Sequence, residues 1–167
     1  MTDKPKTRVR FYRIRNRLKD KLGGGSPGEL TIPKEALEQA QAAFEKMAED
    51  YPDWVTKHIE QLRVLHARCV DTPEHRAKIY VEIHEIAHDM RGQGGTFGYP
   101  LITTFAASLY EFTAPKAVIG DNQIEIIKAH IDSMSAVIKG RVKGSGGTLG
   151  AELAANLSQA IAKYETV

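Results

Sequence analysis

The sequence is poor in the residues that disulfides, thiolate metal sites and membrane spans require. Cys69 is the only cysteine among 167 residues, so the chain forms no internal disulfide and no zinc site built from several cysteines. No apolar run approaches the roughly 20 residues that cross a bilayer, and the basic start lacks the apolar segment of a signal peptide. These absences predict a cytoplasmic protein without membrane contact.

Charge is distributed unevenly along a chain of otherwise ordinary composition. The first 22 residues hold nine of the 23 basic and two of the 21 acidic residues, which leaves a net charge of −5 for the remainder. A basic arm, residues 1–22, is thus predicted to precede a Gly/Ser/Pro linker at 23–32 and one helical domain at 33–167. We expect the arm to be solvated or locally docked and to bind no nucleic acid.

Apolar residues recur at spacings of three and four along nearly the whole chain after the linker, as they do in amphipathic helices. Helices are predicted to begin near Pro33, Pro52, Pro73 and Pro100, because proline is favoured in a first helical turn. Two further helices are predicted over 124–138 and 149–164. Short connections between long helices favour antiparallel neighbours, so we predict an all-α fold: an up-and-down antiparallel four-helix bundle with additional N- and C-terminal helices.

The segment "YVEIHEIAHDMRGQGGTFGYP", residues 80–100, carries the two histidines with the most informative neighbours. Helix geometry places the apolar stripe of this segment around Ile86. The polar residues lie roughly 140–200° away from that stripe and are predicted to face solvent; they are His84, His88, Arg91 and Gly95. The other histidines (His58, His66, His75 and His130) are predicted to be surface residues or satisfied core residues.

One hypothesis for this segment is a zinc peptidase, because "HEIAH" fits the H-E-x-x-H pattern. His84 and His88 would bind zinc, and Glu85 would activate water. A catalytic zinc needs a third protein ligand, and the extended motif would require a histidine where the chain has Gly94. Arg91 would also oppose a divalent cation. Zinc catalysis is therefore the weaker alternative.

The other hypothesis is phosphoryl transfer, for which imidazole is a competent nucleophile. A phosphoryl carrier needs an exposed ring, a nearby cation and room for a partner. The stretch "AHDMRGQGGTFG" resembles the signature of histidine-containing phosphotransfer (HPt) domains, H-x-x-[KR]-G-x-[small]-x-x-[apolar]-G. It is especially similar to the HPt domain of chemotaxis histidine kinases, and its fixed positions are filled by His88, Arg91, Gly92, Gly94, Phe97 and Gly98.

The resemblance implies a role for each residue of the motif. His88 would accept a phosphoryl group from a receiver-domain aspartate or a histidine kinase, and Arg91 would stabilise that group. The small residues Gly92, Gly94 and Gly95 would admit the receiver. Residues that flank the site are expected to contact partners: His84, Asp89, Gln93 and Tyr99.

The resemblance also has implications for cofactors, metals and partners. It implies no cofactor and no metal of its own, with Mg²⁺ on the partner receiver domain. The implied partners are response-regulator receiver domains and a sensor histidine kinase, and a monomer is expected. No kinase or receiver domain is present, so the chain is predicted to be a phosphotransfer intermediate without autonomous kinase activity.

One position departs from the resemblance. Chemotaxis-type domains carry a glutamate on the next helix that hydrogen-bonds the histidine, and the matching position here is Tyr110. Glu111 is displaced from it by about 100° around the helix. A non-catalytic helical adaptor remains a further alternative, and it predicts no phosphorylation of His88.

Overall fold

A computed structural model describes residues 32–115 and 119–165 of the chain. In these residues it contains α-helices, a 3-10 turn at Pro73–His75 and no strand, so the all-α prediction is confirmed. None of these helices combines the length and the apolar content needed to span a bilayer. The basic arm and nearly all of the linker lie outside the described residues. The helices are α1 (Lys34–Asp71), α2 (Arg76–Gln93), α3 (Pro100–Phe112), α4 (Asp121–Lys139) and α5 (Gly147–Glu165).

Helix α1 corrects the prediction that separate helices begin near Pro33 and Pro52. Pro52 lies inside one continuous helix of 38 residues. Proline removes one backbone hydrogen-bond donor. The residues on both sides of Pro52 include many strong helix formers, so the helix continues past it. The Thr56 hydroxyl donates a hydrogen bond to the Pro52 carbonyl at 2.8 Å.

Contacts divide the chain into two units, Met1–Glu38 and Gln39–Val167. In the first unit, the described residues 32–38 are exposed. The second unit holds the hydrophobic core and every residue of the predicted site. All that follows concerns this second unit.

The core is formed where consecutive helices pack on one another. Close contacts join α2 to α3, α3 to α4 and α4 to α5. Helix α1 joins the core through a stripe of apolar side chains from Tyr51 to Cys69. Polar contacts also join α1 to two neighbouring helices. Arg63 donates to Ser135 Oγ on α4 at 3.1 Å, and Arg68 pairs with Glu82 on α2 at 3.3 Å.

The buried face of α2 is centred differently from the sequence prediction. Ile86 is only half-buried, whereas Tyr80 and Ala87 are buried. The buried stripe is therefore centred between Ile83 and Ala87, roughly 70° around the helix from Ile86. This rotation moves His84 to the border of the core, where it is half-buried.

The connection between α2 and α3 brings their backbones unusually close. The Tyr99 amide donates to the Gly94 carbonyl at 2.7 Å. A Cβ on Gly94 would lie 2.7 Å from the Tyr99 carbonyl oxygen and 2.8 Å from the Thr103 amide nitrogen. Gly98 has φ +85°, in the region that favours glycine. This tight turn sets α3 against α2 beside the predicted site.

Candidate functional site

His88 is exposed on the outer face of α2, as predicted. Arg91, one turn further on, places Nη2 3.5 Å from Nδ1 of His88. A guanidinium can only donate, so in this arrangement Nδ1 accepts and the ring proton resides on Nε2. The exposed imidazole thus has a cation directly beside it.

Tyr110, from α3, is the centre of the site. Its ring stacks on His84 with 4.0 Å between centroids and an interplanar angle of 22°. The Arg91 guanidinium carbon lies 4.2 Å from the same ring centre. Two flat groups this close to one centre would overlap on a single face, so His84 and Arg91 occupy opposite faces of the phenol. His88 meets the ring at 5.5 Å with a 48° tilt.

His84 is held in one orientation and one tautomer by hydrogen bonds within the protein. Its Nδ1 lies 3.0 Å from the Tyr110 carbonyl oxygen and 3.3 Å from Thr113 Oγ1. The carbonyl can only accept, and the Thr113 hydroxyl donates to the Leu109 carbonyl at 2.8 Å. Nδ1 of His84 therefore carries the proton and Nε2 carries the lone pair. His84 supports the site from beneath the Tyr110 ring.

A shallow depression of about 410 Å³ opens above these rings. Glu85 and Asp89 border it, and both residues are exposed. Within 32–115 and 119–165, no three His, Cys, Asp or Glu side chains are arranged to hold a metal ion. The third ligand of the zinc hypothesis stays unidentified.

The three glycines predicted to admit a partner differ in their surroundings. Gly92 and Gly95 are exposed, and a Cβ on Gly92 would meet nothing within 4 Å. Gly94 is buried against Thr103 and Tyr99, so the packing of α3 on α2 requires its missing side chain. Open surface beside His88 therefore comes from Gly92 and Gly95.

Among the predicted partner-contacting residues, Tyr99 is a correction. Its side chain is 2% exposed and packs on Tyr51 with 5.8 Å between ring centroids. The turn that begins α3 directs it inward, so a partner cannot reach it. Asp89 is exposed and Gln93 is half-buried, so both remain at the surface near His88.

Two apolar residues that follow α2 pack in the core. Leu101 is buried, and Phe97 is half-buried against Tyr51, with 4.9 Å between ring centroids. Phe97 also stacks on Phe44 of α1 at 5.6 Å. These contacts secure the connection that follows α2.

The other histidines fall largely where the sequence predicts. His75 is exposed, and His58 Nδ1 lies 2.9 Å from the Trp54 carbonyl oxygen. His130 is fully buried with a partner at each ring nitrogen. His66 is the exception, because its buried Nε2 has no hydrogen-bond partner in the part of the chain that the structure describes. Burial lowers the pKa of His66 and that of His130.

Sequence reasoning treated Tyr110 as a departure from a family pattern and missed its contacts with three side chains. A signal was present, because His84, His88 and Arg91 are spaced i, i+4 and i+7 and share one helix face. An aromatic residue on the neighbouring helix can contact all three side chains of such a row. The pairing of Tyr110 with that row depends on the register of α3 against α2, which the sequence does not give.

No family model matches the chain, and neither a curated protein nor a solved structure matches it. What can be inferred of its function therefore comes from the residues of the site.

Proposed function

We propose that this protein is a phosphoryl carrier of the HPt type in a multistep phosphorelay. His88 accepts a phosphoryl group from a receiver-domain aspartate or a histidine kinase and passes it to a response regulator. The observation that carries the proposal is the exposed His88 imidazole with the Arg91 guanidinium 3.5 Å away. Gly92 leaves the adjoining surface open to a partner's active site.

The proposed architecture is the antiparallel four-helix bundle of such carriers, formed by α1 to α4 with α5 added. Contacts around the core are consistent with it, since α2 meets α3 and α3 meets α4. Side chains of α1 reach both α4 and α2, at Arg63–Asp132 and Arg68–Glu82. Such a ring of neighbours presents one face of α2 to solvent along its length.

The transfer itself needs little from the protein beyond an oriented nucleophile and a cation. Arg91 turns from Nδ1 towards the incoming phosphoryl oxygens, water takes the Nε2 proton, and Nδ1 takes a proton from water. The Nε2 lone pair then forms a bond to phosphorus as the bond to the aspartyl oxygen breaks, and that electron pair leaves on the carboxylate. The guanidinium offsets the charge of the transferred group.

The remaining parts of the proposal concern partners and place. The partner receiver domain supplies Mg²⁺, and a sensor histidine kinase supplies the phosphoryl group upstream. The carrier acts in the cytoplasm as a monomer, and it has no autonomous kinase activity.

Radiolabelled phosphotransfer tests the proposal. Receiver domains charged with labelled acetyl phosphate, or charged by a kinase, are incubated with the protein, and acid-labile, alkali-stable label is measured. His88→Gln is expected to lower the label at least about 100-fold, because the bond-forming nitrogen is gone. The exposed control His75→Gln is expected to retain the label in full. His84→Gln is expected to keep the label and to slow its uptake by no more than a few-fold, because His84 touches Tyr110 and not the transferred group.

Three results would contradict the proposal. Label that survives in His88→Gln would place the phosphate elsewhere. No label from any receiver, together with stoichiometric zinc that is lost in both His84→Gln and His88→Gln, would favour the metallopeptidase alternative. Indifference of every readout to His88→Gln would favour a helical adaptor.

A further inference from the structure

We propose that Tyr110 is a positioning residue: its ring holds the Arg91 guanidinium beside His88, ready for the phosphoryl group. This inference rests on the proposed function and concerns the same site. It assigns a role to the position where the resemblance predicts a glutamate. The role differs from that of a carboxylate, because a phenol ring contacts the cation through its face.

An arginine at a helix surface samples many rotamers unless a second group holds it. Here the ring of the neighbouring helix holds it, with 4.2 Å between the guanidinium carbon and the ring centre. The quadrupole of an aromatic face attracts a cation at this distance. Arg91 is accordingly half-buried, whereas His88 beside it is exposed.

The ring that holds Arg91 is itself fixed from its other face. The His84 imidazole stacks on it at 4.0 Å. Hydrogen bonds to the Tyr110 carbonyl and to Thr113 fix that imidazole in turn. The order of contacts is therefore His84, Tyr110, Arg91 and His88, and each member limits the motion of the next.

The position in which Arg91 is held suits a phosphoryl carrier. Nη2 of Arg91 lies 3.5 Å from Nδ1 of His88. The other ring nitrogen, Nε2, is the one that bonds phosphorus in the proposed transfer. For transfer the guanidinium turns from Nδ1 towards the phosphoryl oxygens, and much of the side-chain entropy that this contact costs has already been lost. The glutamate of chemotaxis-type domains would accept from Nδ1, whereas Arg91 donates to it.

A double-mutant cycle between Tyr110 and Arg91 tests the role. Tyr110→Leu removes the ring face and is expected to slow the phosphotransfer rate constant roughly three- to tenfold, the range that corresponds to a surface cation–π contact and its ordering. Tyr110→Phe keeps the face and is expected to stay within about twofold of wild type. In an Arg91→Gln background, Tyr110→Leu is expected to have almost no further effect.

A second readout does not depend on phosphotransfer. In NMR spectra, the Arg91 side-chain protons are expected to show an upfield ring-current shift that Tyr110→Phe keeps and Tyr110→Leu removes. Phe112→Leu is the matched control, because Phe112 ends the same helix and faces His130 at 6.0 Å instead of the site. It should leave both the Arg91 shifts and the transfer rate unchanged.

The outcomes separate the role of Tyr110 from the proposed function. If the wild-type protein takes label but the cycle is additive, or if the ring-current shift is absent, the role of Tyr110 is overturned and the carrier function stands. If the wild-type protein takes no label from any receiver, the carrier function fails and the transfer role of Tyr110 fails with it.

Discussion

Two regions of this protein use histidine in opposite ways. On the surface of α2, His88 is exposed, and within the described residues only Nδ1 has a hydrogen-bond partner. Between α3 and α4, His130 is 0% exposed. Its Nδ1 donates to the Ile126 carbonyl at 2.8 Å, and the Ser108 hydroxyl donates to its Nε2 at 2.9 Å.

The difference separates an imidazole that packs the core from one that a reactant can reach. Both ring nitrogens of His130 are hydrogen-bonded, and the ring is fully buried among apolar side chains. His130 is therefore a core residue whose polar atoms are satisfied. His88 has a nitrogen open to a reactant and a cation on the other side. The same residue type therefore serves stability in one place and is available for chemistry in the other, and each prediction below tests this contrast.

The largest expected effect separates the two histidines by stability. His130→Ala should lower the free energy of unfolding by about 2–4 kcal/mol, because it leaves a cavity and an unpaired Ser108 hydroxyl. His88→Ala should change it by less than about 0.5 kcal/mol, as is usual for exposed residues. Urea unfolding monitored by circular dichroism measures both. Equal destabilisation by the two changes would show that His88 is part of the packed structure.

Two glycines sharpen the contrast between the site's open side and its packed side. Gly94→Ala should cost about 1–3 kcal/mol, because its Cβ would press against backbone atoms of Tyr99 and Thr103 that cannot move aside cheaply. Gly92→Ala should stabilise by up to about 1 kcal/mol, since Gly92 lies in the helix with open space beside it. Thermal unfolding of the two variants in parallel measures the difference. A stable Gly94→Ala protein would contradict the close approach of α3 to α2.

The buried histidine should also make stability depend on pH. Burial lowers the pKa of His130 below its usual value, so as pH falls through about 6.5 the unfolded chain takes up a proton that the folded protein resists. The free energy of unfolding should therefore fall between about pH 7 and pH 5, by at most about 1.4 kcal/mol per pH unit from this residue. Above pH 7 the contribution is fully retained.

The matched variant for the pH dependence is His130→Gln, which does not titrate. Its stability should vary less steeply over the same range, and what slope remains is attributable in part to His66, whose pKa is lowered in the same direction. Urea unfolding at several pH values checks this. An unchanged slope in His130→Gln would mean that His130 does not control it.

Much of the helical fold was predictable from sequence because it follows from local patterns. The spacing of Ile124, Ile127, Ile131 and Met134 gave α4, and the same rule predicted an exposed His88. The four-helix bundle and the phosphorelay role remain predictions. What the patterns could not give depends on contacts between helices.

The errors at particular residues show why. Tyr99 was predicted to face a partner, but the turn at Gly94 directs it to Tyr51. The buried face of α2 lies roughly 70° around the helix from the predicted centre, because Tyr80 and Ala87 also pack in the core. The contacts of Tyr110 depend on the register of α3 against α2. None of these is encoded by spacing within a single helix.

The uneven burial of α1 has a consequence for how that long helix opens. Before Pro52, Phe44 is 45% exposed and Met47 is 58% exposed, whereas Val55 and Leu62 beyond it are fully buried. Because the free energy of local opening follows burial, the first half of α1 should exchange its amide hydrogens at a cost far below that of global unfolding. The helix is continuous in geometry, yet its two halves are expected to differ in stability. The boundary lies close to Pro52, where the sequence predicted that a second helix would begin.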